Sequence, residues 1–350
     1  MVDDKSSIRI GIIGAGANSR LRHIPGFQSI AGVEVAAVAN RSMSSGTAVA
    51  NQFNIDNVYD DWTKLIENPD IDAVCIGTWP YMHCPITLAA LAAGKHVLTE
   101  ARIAMDAMEA RRMLDASRGH PNLICQVVPS PLTFRLDDTI NDIIASGYLG
   151  SIISIELRAT QSNFPDFGGD MHWRNDQVVS GYNILNMGIW YESLMRWVGP
   201  ASKVYASGST IVNRRYDNDG SMRAVTIPDH VEIICDMAIG ATAHFTFSAV
   251  TGMDNKNGLW IFGSYGTIYV DTSSMSIYCG NRESSELEKV DVPKNKQGYW
   301  RVEEEFISAI RGEEAIKLTT FEAGVRYMEF SEAVYRSIRS GTSVNLPLWS

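Results

Sequence analysis

Residues 8–19 read IRIGIIGAGANS. The apolar run Ile8 to Ile13 predicts a strand buried on both faces. It closes in the glycine turn Gly14-Ala15-Gly16-Ala17-Asn18-Ser19, and helical spacing follows at Leu21, Ile24 and Phe27. A strand, glycine turn and helix in this order let the backbone approach a pyrophosphate, whose charge rests on the free amides that open the helix. Gly14 permits the tight turn and Gly16 removes a side chain that would meet the phosphates. Ala17, Asn18 and Ser19 carry the helix-opening amides, with Ser19 in place of the motif's third glycine. Position after the first strand favours a dinucleotide over an ordinary turn.

Outward from this unit, strands and helices alternate. Val33 to Ala39, Ala73 to Gly77, His96 to Thr99 and Leu123 to Val128 read as strands. The intervening Ala48 to Phe53, Trp62 to Glu67, Pro85 to Ala93 and Ala107 to Ser117 read as helices. Such alternation predicts a doubly wound parallel sheet, with ligands beyond its carboxyl edge. We therefore expect a dinucleotide-binding domain over residues 1–128. Its second strand ends in Asn40-Arg41 rather than in the acidic residue that binds ribose hydroxyls; Asn40 can still hydrogen-bond a ribose. Without a carboxylate a 2′-phosphate is not repelled, and Arg41 can pair with one, so NAD or NADP is expected with a lean to NADP. Two further loops reach the same edge: Thr78-Trp79-Pro80-Tyr81-Met82-His83 and Glu100-Ala101-Arg102.

The chain has 350 residues, 45% hydrophobic and 20% charged, with a formal net charge of −10. That balance suits two soluble domains and excludes a basic nucleic-acid surface. The amino terminus lacks the apolar core of a signal peptide, and no apolar run reaches membrane-spanning length. Five scattered cysteines (Cys75, Cys84, Cys125, Cys235, Cys279) suit reduced thiols in the cytoplasm and give no metal-ligand spacing.

Beyond residue 128, Ser151 to Thr160, Val231 to Met237, Ala241 to Ser248, Gly258 to Phe262, Thr267 to Asp271 and Met275 to Cys279 alternate in polarity. Close spacing predicts a mostly antiparallel sheet with one wet face, in a second domain over residues 129–350. The loop Asn163 to Arg174 has the composition of a pocket wall. Tyr182 to Val198 is apolar enough for a helix, which places Tyr182, Asn186 and Trp190 on one face, with Asn183 beside them.

Taken together, these motifs resemble the glucose–fructose oxidoreductase / inositol dehydrogenase / rhizopine-catabolism (Gfo/Idh/MocA) family. The resemblance rests on Gly14-Ala15-Gly16, on Thr78, Pro80 and His83, and on the run Ala93 to Glu100. Trp173-Arg174, Asn186-Met187-Gly188-Ile189-Trp190, Gly263…Gly266-Thr267 and Glu305-Phe306…Ile310-Arg311-Gly312 continue it. It implies a dinucleotide domain, an open-sheet domain that often forms homo-oligomers, and NAD(P)-dependent chemistry on sugars and polyols. Departures accompany it. The family's Glu-Lys-Pro is Glu100-Ala101-Arg102, so its lysine is absent, and its Asp-x-Gly-x-His is Asn186-Met187-Gly188-Ile189-Trp190.

Hydride transfer from a carbinol needs a base for the hydroxyl proton. Arg102 titrates too high for that role but can orient an oxygen, and Asn186 can hydrogen-bond one. His172, His83 and Tyr182 remain as acid/base candidates, with His172 favoured by its place before Trp173-Arg174. The expected catalytic set is His172, Asn186 and Arg102. Gly14, Gly16, Ala17, Asn18, Ser19, Asn40, Arg41, Thr78, Trp79, His83 and Glu100 are expected to hold the cofactor. Trp173, Arg174, Tyr182, Asn183 and Trp190 are expected to hold a carbohydrate or glycoside. No metal, membrane or nucleic acid is expected as a partner. Two other classes fit the altered positions: a cofactor-binding regulator without turnover, and a glycosidase that oxidises transiently through tightly bound NAD.

Overall fold

The computed structural model describes residues 7–349 and divides into two compact units. The first contains the chain up to Pro129 together with Arg301–Val325. Its strands are β1 (Ile8–Ile13), β2 (Val33–Ala39), β3 (Asn57–Tyr59), β4 (Ala73–Ile76), β5 (His96–Thr99) and β6 (Cys125–Val127). They form one parallel sheet in the order β3-β2-β1-β4-β5-β6. Ile10, Ile12 and Ile13 are at most 2% exposed, as expected of a strand covered on both faces. The order reverses between β1 and β4, where a doubly wound sheet opens its ligand crevice.

Two expectations need correction here. Leu21 does not join the buried helical stripe; it is 74% exposed. Ser19–His23 forms a π-helical turn, wider than an α-turn, which carries Ser19 and His23 inward before the α-helix Ile24–Gln28. Nor is the first unit a single run: its opening segment ends at Pro129, beside the expected boundary, and Arg301–Val325 rejoins it. The helix Val302–Ile310 returns to it, setting Phe306 edge-on against Phe27 at 6.3 Å and Glu303 against His23.

The second unit spans Ser130–Trp300 and Arg326–Ser350. Its strands in chain order are β7 (Ile152–Thr160), β8 (Ala201–Ser209), the hairpin β9 (Arg214–Tyr216) and β10 (Met222–Ala224), and β11 (His230–Met237). They continue as β12 (Thr242–Ser248), β13 (Gly258–Gly263), β14 (Gly266–Asp271), β15 (Ser276–Asn281), β16 (Glu288–Val290) and β17 (Val344–Asn345). Nine of these make a sheet in the order β16-β15-β14-β13-β7-β12-β11-β8-β17. Only the β7–β12 pair in it is parallel. One face is core: Phe245 from the sheet and Tyr191 from the helix Met187–Val198 both pack on Phe330, Tyr191 stacked at 3.6 Å. The other face is open.

The expected helix over 182–198 starts only at Met187. Gly181 (φ +66°) and Leu185 (φ +46°) take left-handed backbone, so Tyr182–Asn186 is an irregular turn and Asn186 is the helix cap. Tyr182, Asn186 and Trp190 therefore do not share a helical face.

Candidate functional site

At the carboxyl edge of the parallel sheet lies a cavity of about 490 Å³, lined among others by Gly14, Gly16, Asn40, Arg41, Thr78 and Trp79. It forms where the ends of β1, β2 and β4 converge, so residues far apart in sequence meet because the topology reverses there. Gly14 (φ +84°) has left-handed backbone, and a Cβ on it would lie 2.8 Å from the Thr78 amide nitrogen. The two glycines are constrained differently. A Cβ on Gly16 would meet nothing nearer than the Gly77 carbonyl at 3.7 Å, and would instead project into open space. Gly16 thus leaves room for a ligand, whereas Gly14 is required by its own left-handed backbone and by the close approach of Thr78. Ser19 replaces the third glycine at no steric cost: its hydroxyl donates to the Gly14 carbonyl at 3.2 Å.

Asn40 Oδ1 accepts the Ala15 amide at 2.8 Å, so the end of β2 is tied to the glycine turn. Arg41 places its guanidinium 5.3 Å from the centre of the Trp79 ring, a cation–π contact on the cavity lining. This crevice fits a nicotinamide dinucleotide. It offers a helix start, a glycine with open space before it, and donors in Asn40 and Arg41.

Behind the glycine turn is a cluster that no local sequence pattern announced. His23, 0% exposed, lies 3.0 Å from Glu100 through Nε2 and 2.5 Å from Glu303 through Nδ1. Asn18 donates its side-chain amide to Glu100 as well. Burial opposes a charge on the imidazole, yet the hydrogen bonds and negative charges of Glu100 and Glu303 outweigh it and push His23 up to about 9. Burial likewise opposes ionisation of Glu100, and His23 together with Asn18 still holds its carboxyl below the usual range. A buried imidazolium flanked by two carboxylates therefore joins the glycine turn, the end of β5 and the returning helix.

His83 is 1% exposed, and burial lowers its pKa despite opposing contacts. Its ring nitrogens face two backbone carbonyls, Thr78 and Arg102, each at 3.0 Å. It braces the two loops that end β4 and β5. Arg102 itself is buried at 4% exposure.

The second unit holds the remaining candidates. His172 caps the short turn Trp173–Asn175, its Nδ1 accepting the Arg174 amide at 3.2 Å. Partial burial, then Arg174 and Arg215, lower its pKa, so the ring is neutral at pH 7. Arg174 lies over Trp173 at 4.2 Å from the ring centre. Tyr182 packs on Tyr335 at 4.5 Å. Asn183 is 1% exposed and donates to the Ser180 carbonyl at 2.6 Å, and Trp190 is 6% exposed. These two side chains are thus far less accessible than His172, Trp173 and Arg174. Of the expected dinucleotide residues, Gly14, Gly16, Asn40, Arg41, Thr78 and Trp79 line one crevice, whereas Ala17, Asn18, Ser19, His83 and Glu100 are not in its lining, Ser19 and His83 being buried. The expected substrate residues spread over a loop, a turn and a helix.

Known proteins place this arrangement. Residues 8–127 match the model of the oxidoreductase family with an NAD-binding Rossmann fold, and residues 138–269 match the Gfo/Idh/MocA C-terminal domain. An uncharacterized oxidoreductase of Rhizobium meliloti is 32% identical over 192 residues, 55% of this chain and 56% of that protein. The chain thus aligns with little more than half the length of that relative. The dTDP-3,4-didehydro-2,6-dideoxy-alpha-D-glucose 3-reductase of Saccharopolyspora spinosa is 27% identical over 269 residues, 76% of this chain and 75% of that one. Among solved structures, levoglucosan dehydrogenase in complex with NADH and levoglucosan superposes with a TM-score of 0.83. It is 21% identical, covering 97% of this chain and 99% of that one.

Proposed function

The chain belongs to the Gfo/Idh/MocA oxidoreductase family, and from that premise we propose that it interconverts a secondary hydroxyl and a ketone on a sugar, glycoside or related polyol. The observation that carries this reading is the crevice at the switch between β1 and β4, where Gly16 faces open space beside Asn40 and Arg41. When bound there, the nicotinamide supplies the hydride chemistry. The protein's own residues supply the rest. Gly16 and the helix-opening amides take the diphosphate. Arg41 takes a 2′-phosphate, because Asn40 adds no negative charge and already serves Ala15. NADP is accordingly the proposed preference.

On the substrate side, Trp173 and Arg174 receive the sugar, and Asn186 hydrogen-bonds its oxygen. His172 is proposed to take the hydroxyl proton. Its neutral ring is the form a base requires, and proton uptake at Nδ1 exchanges the Arg174 amide for the substrate hydroxyl. The family lysine, Asp and His are replaced by Ala101, Asn186 and Trp190. Those replacements support a second reading, a cofactor-binding regulator without turnover. Calorimetry with NADP and NAD, followed by NAD(P)H formation on sugars and glycosides, separates the two. Binding without any turnover selects the regulator, and no binding of either dinucleotide refutes both.

We further propose a homo-oligomer built through the open face of the nine-stranded sheet. Cross-strand register sets Tyr278, Tyr269 and Trp260 in one row with Glu156, His244, Ile234 and Tyr205. Ile234 and Tyr205 are 52% and 46% exposed, and Trp260 stacks on Tyr269 at 4.2 Å. A row of aromatic and aliphatic side chains on an outer face, broken at its centre by Glu156 and His244, is the kind a second copy covers. Light scattering of the wild type and of Trp260→Glu tests it; a monomeric wild type refutes it. No helix among the described residues is long and apolar enough to cross a membrane, and the cytoplasm is the proposed location.

A further inference from the structure

The second unit contains its own cavity, of about 470 Å³, at the end of the sheet where β7 and β12 finish. It falls within the size range of small-molecule sites. Its lining includes Asn163, Phe164, Asp166, Asn175, Arg215 and Asp229. Leu185 lines it too, next in sequence to Asn186, and Asn175 follows Arg174. The cavity therefore adjoins the segments assigned to the substrate.

Its two carboxylates are held before any ligand arrives. Asp229, only 8% exposed, accepts the Ile211 and Val212 amides through separate oxygens, each at 2.8 Å, which leaves a lone pair on each oxygen. Asp166 is held by the Gly168 amide at 3.1 Å. Asp166 and Arg215 both crowd the backbone of Gly169, where a Cβ would lie 2.6 Å from the guanidinium. Among the described residues, Arg215 Nε has no hydrogen-bond partner. The Phe164 ring is 66% exposed and lies against Gly252, where a Cβ would fall 2.5 Å from it.

One guanidinium balanced by two carboxylates does not select an anion, and so many polar side chains do not select an apolar ring. Acceptors, donors and one aromatic face suit a neutral polyhydroxylated ring: its hydroxyls donate to the carboxylates and accept from Arg215, and its C–H face lies on Phe164. We propose that this cavity binds a neutral second sugar ring, so that the substrate is a glycoside of at least two rings. The proposal deepens the oxidoreductase reading and rests on it only for the claim that the ring bound here is the one that does not react.

The test pairs binding with turnover. Saturation-transfer NMR on the cofactor-free protein uses glucose, cellobiose, maltose, lactose and a glucuronide. NAD(P)H formation is followed with the same sugars for the wild type, Arg215→Leu and Phe164→Ala. The second variant alters an exposed loop side chain and keeps the test informative if the first fails to fold. The expected result is binding of at least one neutral disaccharide. Each variant then lowers the disaccharide-to-monosaccharide ratio of kcat/KM at least tenfold, mainly through KM. Disaccharide binding that both variants abolish, with no turnover of any sugar, upholds the cavity and refutes the dehydrogenase reading. Turnover with an unchanged ratio, preference for the glucuronide, or no binding of any neutral disaccharide overturns the proposal.

Discussion

Raising the pH above neutrality removes a proton from the cluster of His23, Glu100 and Glu303, and stability should fall with it. The imidazole is pushed up to about 9 in the folded chain from an ordinary 6.5. At 1.36 kcal/mol for each unit of separation this corresponds to about 3 kcal/mol. The folded value is the higher one, so the contribution is complete below about 6.5 and is lost as pH rises through about 9. Glu100 behaves oppositely: its carboxyl is held low, and its share is lost as pH falls below the ordinary 4.5. In His23→Gln the two carboxylates face each other across a neutral amide, a defect of about 3–5 kcal/mol at pH 7. Thermal melts followed by circular dichroism at pH 7 and pH 9.5 read both effects. The melting gap between wild type and His23→Gln should narrow by about 2.4 kcal/mol between these two pH values, or roughly 5–10 °C at about 2–4 °C per kcal/mol. A gap that stays constant across this range means that His23 carries no proton in the folded chain, and the ion cluster as described is wrong.

Other perturbations probe the crevice and the base. Gly16→Ala should leave the melting temperature within about 2 °C, since its Cβ meets open space, while weakening dinucleotide binding at least about tenfold. Gly14→Ala should cost about 1–3 kcal/mol of stability from left-handed backbone alone, measured by urea unfolding. Asn40→Asp should shift the ratio of NADP to NAD affinity towards NAD by about tenfold, a like-charge effect read by fluorescence titration. If His172 is the base, the acid limb of kcat/KM for oxidation should fall below pH 6.5, because burial, Arg174 and Arg215 hold its pKa down. His172→Gln should then lower kcat by about 10²–10⁴; an unchanged pH profile in that variant assigns the proton elsewhere.

The Rossmann half of the fold was legible because its signals are local. A buried strand, two glycines and a helix start occupy twelve consecutive residues, and the ends of β2 and β4 follow from alternation. The ion cluster was not legible, because His23 and Glu303 are separated by 280 positions and a lone His looks like any other. Its wider helical turn also displaced the apolar stripe that had been traced through Leu21. The start of the helix at Met187 was hidden by Leu185, a bulky residue in left-handed backbone that propensity does not forecast. The return of Arg301–Val325 to the first unit was equally silent, since an amphipathic helix does not declare which sheet it covers.

That return has a consequence for biosynthesis. At about 5–20 residues per second, a ribosome needs roughly 14–56 s after making His23 to deliver the carboxylate that completes its ion cluster. Throughout that interval the nascent Rossmann sheet lacks the helix bearing Phe306, so a fragment stopped at Pro129 should be a client for chaperones rather than an autonomous domain.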